Sequence, residues 1–261
     1  MIYLTGDCHG DFGRFAKRER MRLPYFLQPK DYVIVCGDLG LLWAKDKTFT
    51  YDLKWLLGLP FKLLWVQGNH ENYAMIAEYP LEWWNGGKVR HIARDKIILL
   101  ERGQVFTIEG KRFFTFGGAS SHDIQGGILD RDSPTYDKEK KRAIRSGLPY
   151  RVRNVSWWEQ ELPTQEELQE GRDNLEKVGY LVDYVITHCM AGSMQDQLFD
   201  SAVWEYDDST CEKDILNQYF DELEEKLQYQ CWFCGHYHVN HRLDEKHRIL
   251  YKDIVRLDDF R

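Results

Sequence analysis

Three short runs near the start of the chain, "MIYLTGD", "DYVIVCGD" and "KLLWVQGN", are dense in apolar and β-branched residues, and each ends on Gly followed by Asp or Asn. Such runs read as buried strands, with the glycine marking where each leaves its sheet. The intervals carry helical spacing in "TFTYDLKWLLGL" (48–59) and "ENYAMIAEY" (71–79). Strands alternating with helices need right-handed crossovers, so a largely parallel sheet is expected. In an open α/β sheet, residues just beyond the carboxyl ends of the strands share one crevice. Asp7, Asp38 and Asn69 are therefore expected together.

Further on, "KIILLERGQVFTIEGKRFFTFGG" from residue 96 reads as an antiparallel meander turning at "ERG" and "EGK". Residues 119–162 are polar and turn-rich, with a short helix expected from Tyr136 to Ser146. A connection this long inside a compact domain is usually functional or mobile. Thr164 with Glu167 forms a capping box for a helix ending near Gly179, and Ser209 with Glu212 caps another whose apolar face carries Ile215, Leu216, Tyr219, Phe220, Leu223 and Leu227. "VDYVITHC" (182–189) and "YQCWFCGHYH" read as buried strands, followed by closing strands in "HRLD" and "RILYKDIV". No repeat or linker interrupts the chain, so one domain over residues 1–261 is expected.

Composition narrows the function. A formal charge of −7, with 42 acidic against 35 basic residues, lacks the positive field that duplex binding needs. No apolar run approaches the roughly 20 residues that span a bilayer, and the first residues lack the basic and apolar regions of a signal peptide. A soluble, cytoplasmic protein without membrane partners is expected, and the sequence names no protein partner. Six cysteines, mostly in strand-like runs, suit a reduced chain. Cys231 and Cys234 have the spacing of half a zinc finger, but no second pair stands nearby, and they read as small apolar strand residues.

The polar strand ends carry the chemistry. "GDCHGD" gives Asp7 and His9, two apart, which in an extended segment project to one side and reach one metal ion. "CGDLG" adds Asp38, "QGNHE" adds Asn69 and His70, "THC" adds His188, and "GHYH" adds His236 and His238. Alone, a D-x-H triplet is common by chance. Together these five strand ends can deliver two Asp, one Asn and five His to one place, and Gly precedes Asp7, Asp38, Asn69 and His236, as tight turns near a ligand require.

With those motifs, in that order from residue 6 to 238, the sequence resembles the calcineurin-like metallophosphoesterase superfamily of bacterial or phage type. The resemblance implies an α/β fold, a two-sheet mixed β-sandwich flanked by helices in four αββα layers. It implies one ion held by Asp7, His9, Asp38 and His238, and a second by Asp38, Asn69, His188 and His236, with Asp38 as the bridge. It further implies hydrolysis of a phosphate monoester or diester by a hydroxide shared between the ions, without a protein nucleophile. His70 is then the residue that protonates the leaving oxygen or stabilises its charge, with Glu71 as its orienting partner. A mixed carboxylate and imidazole set suits two divalent transition-metal ions, manganese foremost, with iron, zinc, cobalt or nickel as alternatives.

Around this centre, "GGASSHD" offers Ser120, Ser121, His122 and Asp123 as substrate contacts. Arg131 is a further candidate from a segment that also carries Arg142, Arg145, Arg151 and Arg153, since an arginine fork suits a phosphate oxygen. Residues 119–160 are expected to form a cap that selects the substrate. The pairs in "SWWEQE" and "EWWN" read as packing anchors between cap and core. One departure stands out: "GDLGLLW" is apolar where many members of the superfamily carry a further Asp. A nuclease of the same fold is the alternative reading, opposed by the acidic balance, and a non-catalytic scaffold is opposed by the full ligand set.

Overall fold

The computed structural model describes residues 1–23, 26–204 and 213–260. A seven-stranded sheet runs in the order Val255–Arg256, Ile2–Thr5, Tyr32–Val35, Lys62–Trp65, Ile97–Leu100, Gly87–Ala93, Leu81–Trp84. A six-stranded sheet runs His241–Arg242, His247–Ile249, Cys231–Cys234, Tyr184–Thr187, Lys111–Phe116, Gln104–Ile108. The strands expected to be parallel in the opening third are so.

Alternation along the strands explains the layering, because successive side chains point to opposite faces. Leu4, Ile34, Leu64 and Ile98 stand side by side in the first sheet and pack toward the second, where Phe113, Tyr184 and Cys231 form the facing row. One residue out of step, Tyr3, Val33, Leu63 and Ile97 pack with Leu56 of helix Lys47–Leu57 and with Met75 and Ile76. On the far side, Phe114, Val185 and Trp232 pack against helices Gln165–Lys177, Gly192–Phe199 and Ile215–Lys226. The result is four layers, helix, sheet, sheet, helix, with the central strands of each sheet buried on both faces.

Several local expectations are corrected. The meander does not exist as one sheet: Ile97–Leu100 pairs parallel with Lys62–Trp65, whereas Gln104–Ile108 and Lys111–Phe116 form a hairpin in the other sheet. The fully apolar "IILL" is buried on both faces, which suits a central strand of a helix-covered sheet. "EWWN" belongs to a hairpin of Leu81–Trp84 with Gly87–Ala93 that periodicity does not reveal. Trp84 packs near Phe106 and Tyr32, between the sheets, and Trp83 is 71% exposed, so neither anchors residues 119–160. The helix expected over 71–79 is the single turn Tyr73–Ile76. "RILYKDIV" splits, its first part joining the second sheet and Val255–Arg256 returning antiparallel to Ile2–Thr5. Ser209 and Glu212 lie outside the described residues, and the helix they are expected to cap starts from Asp214 in a capping box with Asn217.

Within residues 119–160, Ile128–Leu129 and Arg151–Val152 pair parallel across the helix Tyr136–Ser146. Trp158 is buried and meets Trp43 edge-on at 5.7 Å, so the apolar stretch after Asp38 is where this segment docks. Cys231 faces the other sheet and Cys234 faces the helices, so the two thiols cannot chelate one ion, and the five described cysteines are free and buried.

Candidate metal centre

Each of the five strands gives way to a turn at its carboxyl end. Asp7 stands two residues beyond Thr5, Asp38 three beyond Val35, Asn69 four beyond Trp65, His188 one beyond Thr187 and His236 two beyond Cys234. His9, Asp38, His236 and His238 take left-handed backbone, with φ of 48°, 47°, 67° and 53°. Side chains other than glycine rarely adopt it, and where they do they cluster at functional sites. Asp7 and His9 do approach, at 3.6 Å, but through this turn, not as neighbours on an extended segment.

The glycine of one motif makes room for the polar side chain of another. A Cβ on Gly37 would lie 1.9 Å from Nδ1 of His188, and one on Gly235 would lie 2.3 Å from Oδ1 of Asp7. Backbone amides then fix the carboxylates: His236 N–H donates to Oδ1 of Asp7 at 2.9 Å, and His70 N–H to Oδ1 of Asp38 at 2.7 Å. Each carboxylate keeps Oδ2 for the crevice.

Two groups of donors result. In the first, Oδ2 of Asp7 lies 3.2 Å from Nε2 of His238, and the Nε2 atoms of His9 and His238 face each other at 2.9 Å. In the second, Oδ1 of Asn69 lies 3.1 Å from Nε2 of His188 and 3.1 Å from Nδ1 of His236. Nδ1 of His188 meets Cys36 O at 2.8 Å, which aims Nε2 inward. Oδ2 of Asp38 stands between the groups, 3.8 Å from Nε2 of His9 and 3.4 Å from Nε2 of His188.

These donors fit divalent cations. Oδ2 of Asp7 is buried without a hydrogen bond, a position that an ion would satisfy. Ligand atoms of Asp7, His9 and His238, of Asp7, Asp38 and His188, and of His9, Asp38 and His70 lie within 4.8 Å of one another in each set. Burial opposes charge on both aspartates, but the surrounding imidazoles, His188 foremost, outweigh it and hold both carboxyls below the ordinary range. The reverse holds for His188, which burial lowers and Asp38 raises, to about 9. Two ionised carboxylates in one dry crevice demand positive charge.

His70 is half-buried at the rim. Burial lowers its pKa, Asp38 opposes this and Arg151 adds to it, leaving it at about 4. Adjacency predicts that Glu71 orients this ring, but Glu71 is fully buried and its Oε1 accepts from Leu39 N–H at 3.0 Å, bracing the turn that carries Asp38. The group against His70 is Arg151, whose guanidinium also grips Asp123. Arg131 is exposed and, among the described residues, no contact brings it to the crevice, whereas Arg151 of the same segment reaches His70.

The "ASSHD" turn divides its duties. Ser120 donates to Asp214, at the start of helix Ile215–Lys226, and so faces away. Ser121 is buried and accepts from Nδ2 of Asn69 at 3.3 Å while donating to Oε2 of Glu161 at 2.7 Å. His122 lies edge-on to His236 at 5.6 Å, and Asp123 is held by Arg151.

Two contributors escape sequence reasoning. Arg14 donates to Thr5 Oγ1 at 2.8 Å, to Gly6 O at 3.1 Å and to the carbonyls of Asp7 and Tyr251, tying the first motif to the returning C-terminal segment. Glu161, 2% exposed, stands beneath Ser121, and burial outweighs its hydrogen bonds to raise its pKa to about 8. Neither residue sits in a motif, and nothing in local sequence marks an arginine or glutamate for burial.

Among solved structures, the chain is similar to the phosphopantetheinyl hydrolase of Mycobacterium tuberculosis, at 16% identity over 96% of this chain and 87% of that one, with a TM-score of 0.43. No curated protein matches it. No described helix is long and apolar enough to cross a membrane. The family model of the calcineurin-like phosphoesterases matches residues 1–240, from before the first motif to beyond the last, and a match of that extent means that the chain belongs to the calcineurin-like phosphoesterase family, as a metal-dependent phosphoester hydrolase.

Proposed function

We propose that residues 1–261 form one catalytic domain hydrolysing a phosphate ester at two divalent transition-metal ions. One would be held by Asp7, His9, Asp38 and His238, the other by Asp38, Asn69, His188 and His236. The observation that carries this reading is the place of Asp38, whose Oδ2 lies 3.8 Å from Nε2 of His9 and 3.4 Å from Nε2 of His188, with a donor group on either side. Manganese is the ion we favour, and iron, zinc, cobalt and nickel suit the same donors.

When bound, the ions would supply Lewis acidity, neutralising phosphoryl charge and acidifying water. The chain supplies the rest. Its imidazoles and carboxylates would fix where the phosphoryl group sits, and His70, a neutral imidazole at its lowered pKa, would hydrogen-bond the ester oxygen and stabilise its charge as it leaves. Overall, the P–O bond to the alcohol breaks, a water oxygen joins phosphorus, and the alcohol departs with a proton. Arg151 and Asp123 set the ring of His70, and residues 119–160, which deliver both, act as the substrate-selecting cap. The five described cysteines, free and buried, suit a reducing cytoplasm.

Metal analysis, paired with a panel of chromogenic mono- and diesters with and without manganese, tests this on wild type and Asp38→Ala. Two ions per wild-type chain and loss of hydrolysis in Asp38→Ala are expected. Undiminished turnover in Asp38→Ala would sink the mechanism, and the panel decides between phosphatase and phosphodiesterase.

A further inference from the structure

A cavity of about 630 Å³ lies beside the metal centre, between the 119–129 turn, the 157–164 loop and the start of helix Ile215–Lys226. Ile124, Ile128, Trp157 and Ile215 give it an apolar wall, and among the described residues its titratable groups are all carboxyls: Glu159, Glu161 and Glu167. Its volume is that of a small-molecule pocket.

Ser121 joins the cavity to the centre. It stands in the wall, yet its hydroxyl accepts from Asn69, a proposed ligand, at 3.3 Å. The cavity therefore begins one side chain from the phosphoryl position. On the other side of Ser121 is Glu161, 2% exposed, whose Oε1 is buried without a hydrogen-bond partner. Buried polar atoms are nearly always paired, so an orphan in a cavity wall marks where a ligand's polar group belongs. The wall is built to hold that carboxyl still: the buried guanidinium of Arg102 donates to Gln160 O at 2.6 Å, Glu161 O at 3.1 Å and Gly117 O at 2.8 Å.

We infer that this cavity receives the organic group of the phosphate ester and selects an apolar group, uncharged or positively charged, with a polar group to meet Oε1 of Glu161. The inference rests on the phosphoesterase reading of the metal centre. Glu159 and Glu167 stand in the wall, and with no lysine or arginine among the lining residues they disfavour an organic group that carries a second phosphate or a carboxylate. The apolar side chains favour an aryl or alkyl body, and the orphaned oxygen of Glu161 favours a hydrogen-bonding group on it.

The test uses the metal-loaded full chain and aryl phosphates of similar leaving tendency, each as monoester and as methyl diester: phenyl, 4-(2-aminoethyl)phenyl and 4-carboxyphenyl. The phenyl and aminoethylphenyl esters are expected to exceed the carboxyphenyl ester at least tenfold in kcat/KM. Glu159→Lys, at an exposed rim position, is expected to shrink the aminoethyl-to-carboxy ratio at least threefold. Ile128→Trp, which places an indole in the cavity, is expected to lower the rate on 2-naphthyl phosphate, measured alongside, relative to phenyl phosphate about tenfold. Both variants are judged by ratios, so a partial loss of folded protein does not mimic the effect. Equal rates on the three aryl esters, or unchanged ratios in both variants, overturn the inference and leave the phosphoesterase reading standing. No hydrolysis of any ester by the metal-loaded wild type overturns both.

Discussion

Nη2 of Arg151 lies 3.0 Å from Nε2 and 3.2 Å from Nδ1 of His70, so a guanidinium carried by residues 119–160 faces the imidazole at the rim of the metal centre. The same group gives Nε to Asp123 at 2.8 Å and Nη1 to Ser156 O at 2.9 Å. A planar fork with three partners is not replaced by an ammonium. Arg151→Ala is expected to lower kcat about 10²-fold, the scale of losing one preorganised group, with little recovery in Arg151→Lys. Metal content should stay at the wild-type value in both, which separates this effect from damage to the ligands. A wild-type kcat in Arg151→Ala would remove Arg151 from the reaction.

Ligands that belong to one donor group should cost one ion. His9 faces His238 at 2.9 Å, whereas His236 faces Asn69 at 3.1 Å, and Asp38 lies between the groups. Elemental analysis after dialysis is expected to find about one ion per chain in His9→Ala and in His236→Ala. Asp38→Ala should retain less than one. Loss of both ions in His9→Ala would show that the groups are one cooperative site instead of two.

Gly37 and Gly110 separate backbone strain from collision. Both take positive φ, +95° and +75°, but a Cβ on Gly37 would meet His188 at 1.9 Å, whereas one on Gly110 meets nothing within 4 Å. Gly110→Ala is expected to cost about 1 kcal/mol, the conformational penalty alone, and to keep its metal. Gly37→Ala should cost more in urea unfolding and lose the ion on the His188 side, because the ring must leave Cys36 O. Equal stability and equal metal in the two variants would mean that His188 has room to move.

How legible each residue is in the sequence depends on where its constraint comes from. Asp38 and His188 sit where a two-faced apolar strand stops at Gly or Thr, and that signal is local. "IILL" reads into the wrong sheet because a strand buried on both faces carries no alternation to say which neighbours it has. Arg151 is one arginine among five in a polar segment, and what singles it out is pairing with Asp123 and His70, 28 and 81 residues away. Glu71 reads as the partner of His70 by adjacency alone. Consecutive residues in a turn point apart, and it braces Leu39 instead.

Glu161 should make stability depend on pH. Burial raises its pKa from 4.5 to about 8 against the opposing hydrogen bond from Ser121. The unfolded chain releases this proton near the ordinary value and the folded chain holds it until about pH 8, so between these limits the folded state binds more protons. Stability from this group therefore falls as pH rises through that window and levels off above it. Glu161→Gln cannot titrate, and relative to wild type it is expected to gain in thermal midpoint between pH 5 and pH 8.5, on the order of 5 °C. The comparison is the difference between the two proteins at each pH, which cancels the titration of every other group. A gap that stays flat across that range would mean that Glu161 ionises as an ordinary carboxyl, with water or a counter-charge reaching its orphaned oxygen.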